Sequence, residues 1–255
     1  MSDVILDARR RRRLRALVDT LVERHGPQGW WPVRSERALF ATRGGARQER
    51  GYHPGESGFP RGRAGRWEIA AGAVLTQNTA WSNVERALDA LAAAGVGSPE
   101  AVEALTSAEL AALIRPAGYY HQKSGYLRAL AGWFRATDGD LARAPRTRAT
   151  LEAVRPTLLA VRGVGPETAD SVLLYGYALP TFVIDAYTRR VLGAHGLVAP
   201  AAPYEALRAA CEASLREASD AATVERWQEI HAVIVEEAKA TRGDAGRGAA
   251  SRRAR

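Results

Sequence analysis

Apolar residues recur along this chain mostly at helical spacing. Leu14, Leu17, Val18, Leu21 and Val22 place one apolar face on a helix over Asp7–Glu23. Trp67 to Ala94 reads as one long apolar-rich helical segment, closed by Gly95 and Gly97. Thr106-Ser107-Ala108-Glu109 has the reciprocal spacing of a capping box and opens a short helix over Leu110–Arg115, which Pro116 and Gly118 stop. Further helices are predicted at Tyr120–Ala136, Arg148–Val161, Pro166–Tyr177, Ala186–His195, Tyr204–Ala218 and Val224–Ala240. Thr181-Phe182-Val183-Ile184 is β-branched and aromatic, but too short and isolated to require a sheet. The pattern predicts an all-α protein with about ten helices and short turns.

Composition adds where the charge lies. The formal net charge is +8, but Arg9–Arg15, residues 43–66 and residues 242–255 carry +6, +4 and +4, leaving −6 for the rest. Such basic arms can grip phosphate in a salt-dependent way, or can simply be solvated. Residues 42–66 are glycine-rich and basic and predict a flexible insertion; residues 242–255 predict a disordered basic tail. No stretch approaches the ~20 apolar residues of a membrane span. The first residues lead into Arg9–Arg13 without an apolar core, unlike a secretory signal. Cys211 is the only cysteine, which excludes a disulfide framework and any cysteine-held zinc or iron–sulfur centre. A cytoplasmic, nucleoid-associated location is expected.

The segment from Leu158 to Ala169 carries the first candidate chemistry. A helix runs into Gly163-Val164-Gly165, and Pro166 sits where a first helical residue tolerates a missing N–H. Glycines there permit positive φ and remove the Cβ atoms that would hold a phosphate away. The N–H groups opening the next helix would then face an anion. A tight αα-turn without a ligand fits the same residues. Further on, Asp185 follows Phe182-Val183-Ile184 and precedes a helix, the position of an ordinary N-cap. Beside a phosphate-gripping hairpin the same carboxylate would face a sugar, where it could stabilise positive charge at C1′.

Gly163-Val164-Gly165, Ala169, Val183-Ile184-Asp185 and Arg190 resemble the helix-hairpin-helix plus Gly/Pro-Asp signature of the endonuclease III superfamily. The likeness extends to Gly72–Thr79, Arg115–Lys123 and His231–Glu236. With Trp30-Trp31-Pro32, these blocks are most similar to the 3-methyladenine DNA glycosylase III branch. The resemblance implies a helix-hairpin-helix glycosylase fold, two helical subdomains with the active-site cleft between them. Residues 1–41 would pack with the C-terminal helices, 67–195 would form the helical domain with its hairpin near 152–177, and 196–241 would complete the first subdomain.

The resemblance also implies roles. Asp185 would be catalytic. Trp30, Trp31, Pro32, Trp81 and Lys239 would line a base pocket, Lys239 as a lysine that can be carbamylated. For the tryptophans, core packing is the other reading; for Lys239 it is a surface lysine at a helix end. Gln77, Gly163, Val164, Gly165, Glu167 and Thr168 would meet DNA, Gln77 filling the gap left by a flipped base unless it is a buried amide.

Two departures bear on chemistry. Endonuclease III has a lysine two residues after the second hairpin glycine, where this chain has Glu167, which cannot form a Schiff base. The four-cysteine loop expected after Lys239 is replaced by Ala240-Thr241-Arg242-Gly243. The expectation is therefore a monomeric, monofunctional glycosylase acting on alkylated purines in double-stranded DNA. It would have no iron–sulfur cluster, no metal in the active site and no membrane partner, with a monovalent cation at the hairpin as the one ion in view. The rival readings are a glycosylase for oxidised pyrimidines or mismatched bases, and a non-catalytic DNA-structure-binding protein.

Overall fold

A computed structural model describes residues 6–39, 45–56, 58–199 and 201–253, the last twelve of these (242–253) by their backbone alone. Twelve α-helices follow one another, with no strand among the described residues. They are α1 (Ala8–His25), α2 (Ala46–Glu49), α3 (Arg63–Leu75), α4 (Trp81–Ala93), α5 (Pro99–Ala104) and α6 (Ser107–Leu113). Then come α7 (Tyr120–Leu141), α8 (Arg148–Leu159), α9 (Pro166–Ser171), α10 (Ala186–Ala194), α11 (Tyr204–Leu215) and α12 (Asp220–Arg253). The chain divides into two compact units, Met1–Trp30 with Thr181–Arg255, and Trp31–Pro180. No helix among the described residues is long and apolar enough to cross a membrane.

The unit Trp31–Pro180 is built around α3. Trp67, Ile69, Ala70, Ala71, Ala73, Val74 and Leu75 are all buried, so this helix is apolar on nearly every side. Its small residues allow close neighbours: α7 brings Phe134 edge-on to Trp67 at 5.3 Å. Caps set the helix starts. Thr106 and Glu109 form the reciprocal box expected for α6, and Ser98 and Thr147 cap α5 and α8. Each such cap is worth about 1 kcal/mol. α9 runs on as a π-helical turn over Val172–Gly176, which keeps five successive residues buried.

In the other unit, α1 lies along α12 through Leu14, Val18 and Leu21. Trp227 of α12 is fully buried, meets Phe182 edge-on at 5.9 Å, and donates its indole N–H to the Leu215 carbonyl. The segment 181–184 is buried and has no regular secondary structure.

Four features differ from the sequence pattern. The long segment Trp67–Ala94 is two helices, parted by a loop in which Asn78 takes the left-handed conformation at φ 51°. Asparagine tolerates that region, and the polar run Thr76–Thr79 bonds across the fold instead of continuing the helix. The described part of 42–66 is packed: Tyr52, His53 and Phe59 are buried, and His53 lies 3.1 Å from the Trp31 carbonyl. Glu36 accepts from the N–H groups of Arg61 and Gly62, each at 2.7 Å. Residues 40–44 and 57 of that segment lie outside the described residues. The unit boundaries also differ, since 181–195 joins the N-terminal and C-terminal helices while 31–66 joins α3 to α9. Finally, the backbone of α12 stays helical into the basic segment to Arg253, where alanines 245, 249 and 250 favour helix against its glycines; residues 254 and 255 lie outside the description.

The buried Asp138 of the α3 unit is paired. Arg66 binds the buried Asp138 through Nε at 2.6 Å and a second guanidinium nitrogen at 3.0 Å, and Tyr177 donates its hydroxyl to the same carboxylate at 2.9 Å. Burial, with Asp138 beside it, pushes the Tyr177 phenol well above its ordinary value, so it remains a donor. Replacing Arg66 with Met would leave the carboxylate only the Tyr177 hydroxyl and the more distant Arg63 at 3.8 Å; we expect a loss of about 3 kcal/mol in denaturant unfolding. Arg143→Ala, which breaks an ion pair exposed on both sides, should leave the transition in place.

Candidate active site

Asp185 is held by what surrounds it in sequence. Phe182, Val183 and Ile184 are buried, and their backbone is fixed by Glu212 accepting from the Phe182 N–H (3.1 Å). This delivers Asp185 to the N-cap of α10, where its Oδ1 accepts the Thr188 N–H at 2.6 Å. The other oxygen, Oδ2, lies 3.5 Å from Nε2 of His231 on α12. Burial alone would push the carboxyl up; His231 and the Thr188 N–H outweigh it and hold the group below its ordinary value. It is therefore ionised at neutral pH. One oxygen serves the helix and the other faces the imidazole.

His231 links the carboxylate to an aromatic wall. Its ring meets Trp30 edge-on, with centroids 6.1 Å apart and planes at 85°. The Lys239 ammonium lies 5.3 Å from the centre of the Trp30 ring and pairs with Glu236 at 2.9 Å. Two turns separate His231 and Lys239, so both stand on one face of α12. Trp30 is fixed from behind by Glu229, whose carboxylate accepts the N–H groups of Gln28 and Gly29 at 2.9 and 3.2 Å. Thus Asp185, Trp30 and Lys239, singled out by sequence, belong to one cluster. His231 is the member that sequence reasoning missed. It was visible only as the first residue of His231–Glu236, with nothing local to connect it to Asp185.

Trp31, Pro32 and Trp81 belong to the other unit. Trp31 is 6% exposed, edge-on to Trp81 at 5.3 Å and to Tyr175 at 5.5 Å. Gly72 makes room for it: a Cβ there would stand 3.3 Å from the Trp31 indole nitrogen. Adjacent tryptophans thus serve different units, and Tyr175 joins the aromatic set through the π-helical turn.

The hairpin joins α8 to α9. Arg155 and the fully buried Asp170 clamp the two helices with bonds of 2.8 and 3.0 Å. The glycines divide the work that the sequence assigned to both. Gly163 has φ 86°, and a Cβ there would come within 2.1 Å of the Tyr126 ring. Gly165 is extended at φ −92°, and a Cβ there would meet open space. Only the first glycine needs positive φ; the second leaves the surface bare before Pro166. Val164 is buried, Glu167 exposed and Thr168 buried. Gln77 donates its amide to the Gly163 carbonyl and the Thr168 hydroxyl, both at 2.9 Å, so its NH2 end is tied to the hairpin.

Among the described residues no group of three acidic, histidine or cysteine side chains could hold a metal. Cys211 is buried in α11, and burial pushes its thiol up to about 12.

A model of HhH-GPD superfamily base excision DNA repair proteins matches residues 71–217. A protein of Methanocaldococcus jannaschii assigned as a DNA repair glycosylase is 31% identical over 219 residues, 86% of this chain and 84% of its own length. The chain belongs to the HhH-GPD superfamily. By family it is a base-excision-repair DNA glycosylase. Its fold is similar to that of the H. pylori 3-methyladenine DNA glycosylase bound to 1,N6-ethenoadenine, at a TM-score of 0.62 and 23% identity over 91% of this chain and 98% of that one. It is also similar to endonuclease III in a trapped covalent complex with DNA, at a TM-score of 0.60 and 16% identity over 88% and 84%.

The two hairpin glycines should respond differently to alanine. Gly163→Ala combines positive φ with overlap on Tyr126 and should lower unfolding free energy by at least about 2 kcal/mol. Gly165→Ala should fold with stability within about 0.5 kcal/mol of the parent, yet bind duplex DNA more weakly. Equal stability losses would contradict this division.

Proposed function

We propose that this HhH-GPD protein is a monofunctional N-glycosylase that excises alkylated purines of the 3-methyladenine type from double-stranded DNA and leaves an abasic site. The observation that carries the reading is the Asp185 carboxylate, held ionised by His231 and the α10 N-terminus. A base in a duplex must leave the stack to be excised. The bond between C1′ and the base nitrogen then breaks with its electron pair going to the base. A purine alkylated at N3 already carries positive charge and departs neutral, so it needs no acid to protonate it. The sugar is left oxocarbenium-like, and the negative charge on Oδ2 stabilises it. Water adds to C1′ and gives up a proton, for which Asp185 is the nearby acceptor.

Trp30, in the cluster with Asp185, offers a face on which such a base can stack, at roughly 1–3 kcal/mol. Trp31, Pro32 and Trp81 are assigned to the same task by the family resemblance. The H. pylori enzyme was solved with an alkylated adenine derivative, 1,N6-ethenoadenine, which supports the purine reading. Strand cleavage through an imine requires an amine, and Glu167 occupies the place of the endonuclease III lysine. The whole chain has two lysines, Lys123 and Lys239.

Excision should be measured across alkylated, oxidised and mismatched duplexes. Release of free alkylated purine without a borohydride-trappable adduct is expected; trapping would refute the monofunctional assignment, and preference for an oxidised pyrimidine would refute the substrate class. Asp185→Asn is a clean variant, because the amide oxygen can still cap α10. It should retain fold and duplex binding while excision falls ~10²–10³-fold or more; normal excision would remove Asp185 from the mechanism.

His231→Phe keeps an aromatic edge for Trp30 but removes the group that lowers the Asp185 carboxyl. The carboxyl should then titrate higher, so the acid limb of the excision profile moves to higher pH. An unmoved limb would mean that His231 does not act on Asp185.

A further inference from the structure

Lys123 is 2% exposed in the α3–α9 unit, and no carboxylate among the described residues pairs with it. Its ammonium donates to the Leu75 carbonyl at 2.7 Å, the Thr79 hydroxyl at 2.8 Å and the Ala117 carbonyl at 2.9 Å. Three donors thus meet three neutral oxygens, from the end of α3, the loop after it and the 3-10 turn before α7. Thr79 extends the set: its hydroxyl proton has the Ala117 carbonyl at 2.5 Å and the Gln77 carbonyl at 3.1 Å as acceptors. Gln77 carries it on to Gly163 and Thr168 of the hairpin. Both loops carry exposed side chains on left-handed backbone, Asn78 at φ 51° and Tyr119 at φ 47°, the latter 68% exposed. Such conformations persist only where surrounding bonds over-determine them.

We propose that Lys123 is a positioning residue: its buried ammonium locks the Gln77–Thr79 loop, the Ala117–Tyr119 turn and the hairpin into one duplex-binding surface. This deepens the glycosylase reading and rests on it for the identity of the ligand. The lock depends on charge. A neutral amine has two donors and a lone pair, so one of the three oxygens would face that lone pair. The charged and titratable side chains on the elements packed around it are Arg63, Arg66 and Glu68 on α3, Glu85, Arg86 and Asp89 on α4, Glu100 and Glu103 on α5, Glu109 on α6, Arg115 on the turn, and Tyr120, His121, Tyr126, Arg128, Arg135, Asp138 and Asp140 on α7; none is paired with it. Burial alone lowers its pKa to about 8.

The sign of the linkage separates this role from mere stability. The folded chain loses the proton near 8 and the unfolded chain near 10.5, so between them the unfolded state holds more protons. Across that window the contribution of Lys123 to stability rises with pH. A fall in duplex affinity over the same range cannot then come from Lys123-driven unfolding.

The test uses the full chain and a duplex carrying an abasic-site analogue, which is bound without excision. At constant ionic strength, affinity should fall as pH rises through about 8, while Lys123→Met binds weakly at neutral pH and shows no such midpoint. Because the chain has two lysines, 13C-lysine labelling gives two side-chain signals, and Lys123 can be titrated in the unmutated protein. By reciprocity, binding that prefers the ammonium must raise its midpoint. A midpoint unmoved by duplex, or a wild-type affinity flat through this range, overturns the proposal even if Lys123→Met fails to fold. Base release is scored separately: excision with an unmoved midpoint defeats only the lock, and a moved midpoint without excision defeats only the glycosylase reading.

Discussion

A carboxylate taken out of water must be paired or protonated, and the unit that holds Asp185 is arranged around pairing it twice. The Thr188 N–H takes Oδ1 and starts α10; His231 stands against Oδ2 from α12. The first contact makes the side chain part of the fold, so its position is as rigid as the helix it caps. The second keeps the remaining oxygen charged without filling all its directions. A helix N-terminus also favours an anion by its dipole. Under the proposed function, the local duty of an N-cap and the chemical duty of an electrostatic stabiliser would be met by one orientation.

Similar pairing holds the other surfaces in place. Asp170 with Arg155 clamps the hairpin, Asp138 with Arg66 ties α7 to α3, and Glu229 receives the backbone that leads into Trp30. Each of these carboxylates joins two segments, and for the buried Asp138 and Asp170 loss of the arginine would remove the main partner. Lys123 is the exception, a buried cation satisfied by neutral oxygens. That makes it the member whose hold responds to pH near neutrality.

Much of this was legible in the sequence, and what was not shares a physical cause. Helical periodicity located α1 and α7 to α11 closely, because an amphipathic face is a local property. The capping box at Thr106 was equally local. The break between α3 and α4 was hidden, since Thr76–Thr79 is released from the helix by bonds to Ala117, Gly163 and Thr168, all distant in sequence. The hairpin glycines looked equivalent, and only Tyr126 packing under Gly163 tells them apart. In 42–66 glycine and arginine content outweighed Tyr52, His53 and Phe59, the residues that anchor the segment. Asp185 could be singled out by its place after an apolar run, but its partner His231 could not, because their proximity exists only in the folded chain.

The distribution of cations separates grip from chemistry. All basic residues other than Lys123 and Lys239 are arginines or histidines. Arginine stays protonated and binds phosphate well, but it cannot become the free amine that attacks a sugar. Lys123 has its three donors committed inside the fold. Lys239 is paired with Glu236 and lies over Trp30. Under the proposed function, the arginines would hold the DNA backbone and Asp185 would stabilise the sugar while water replaces the base.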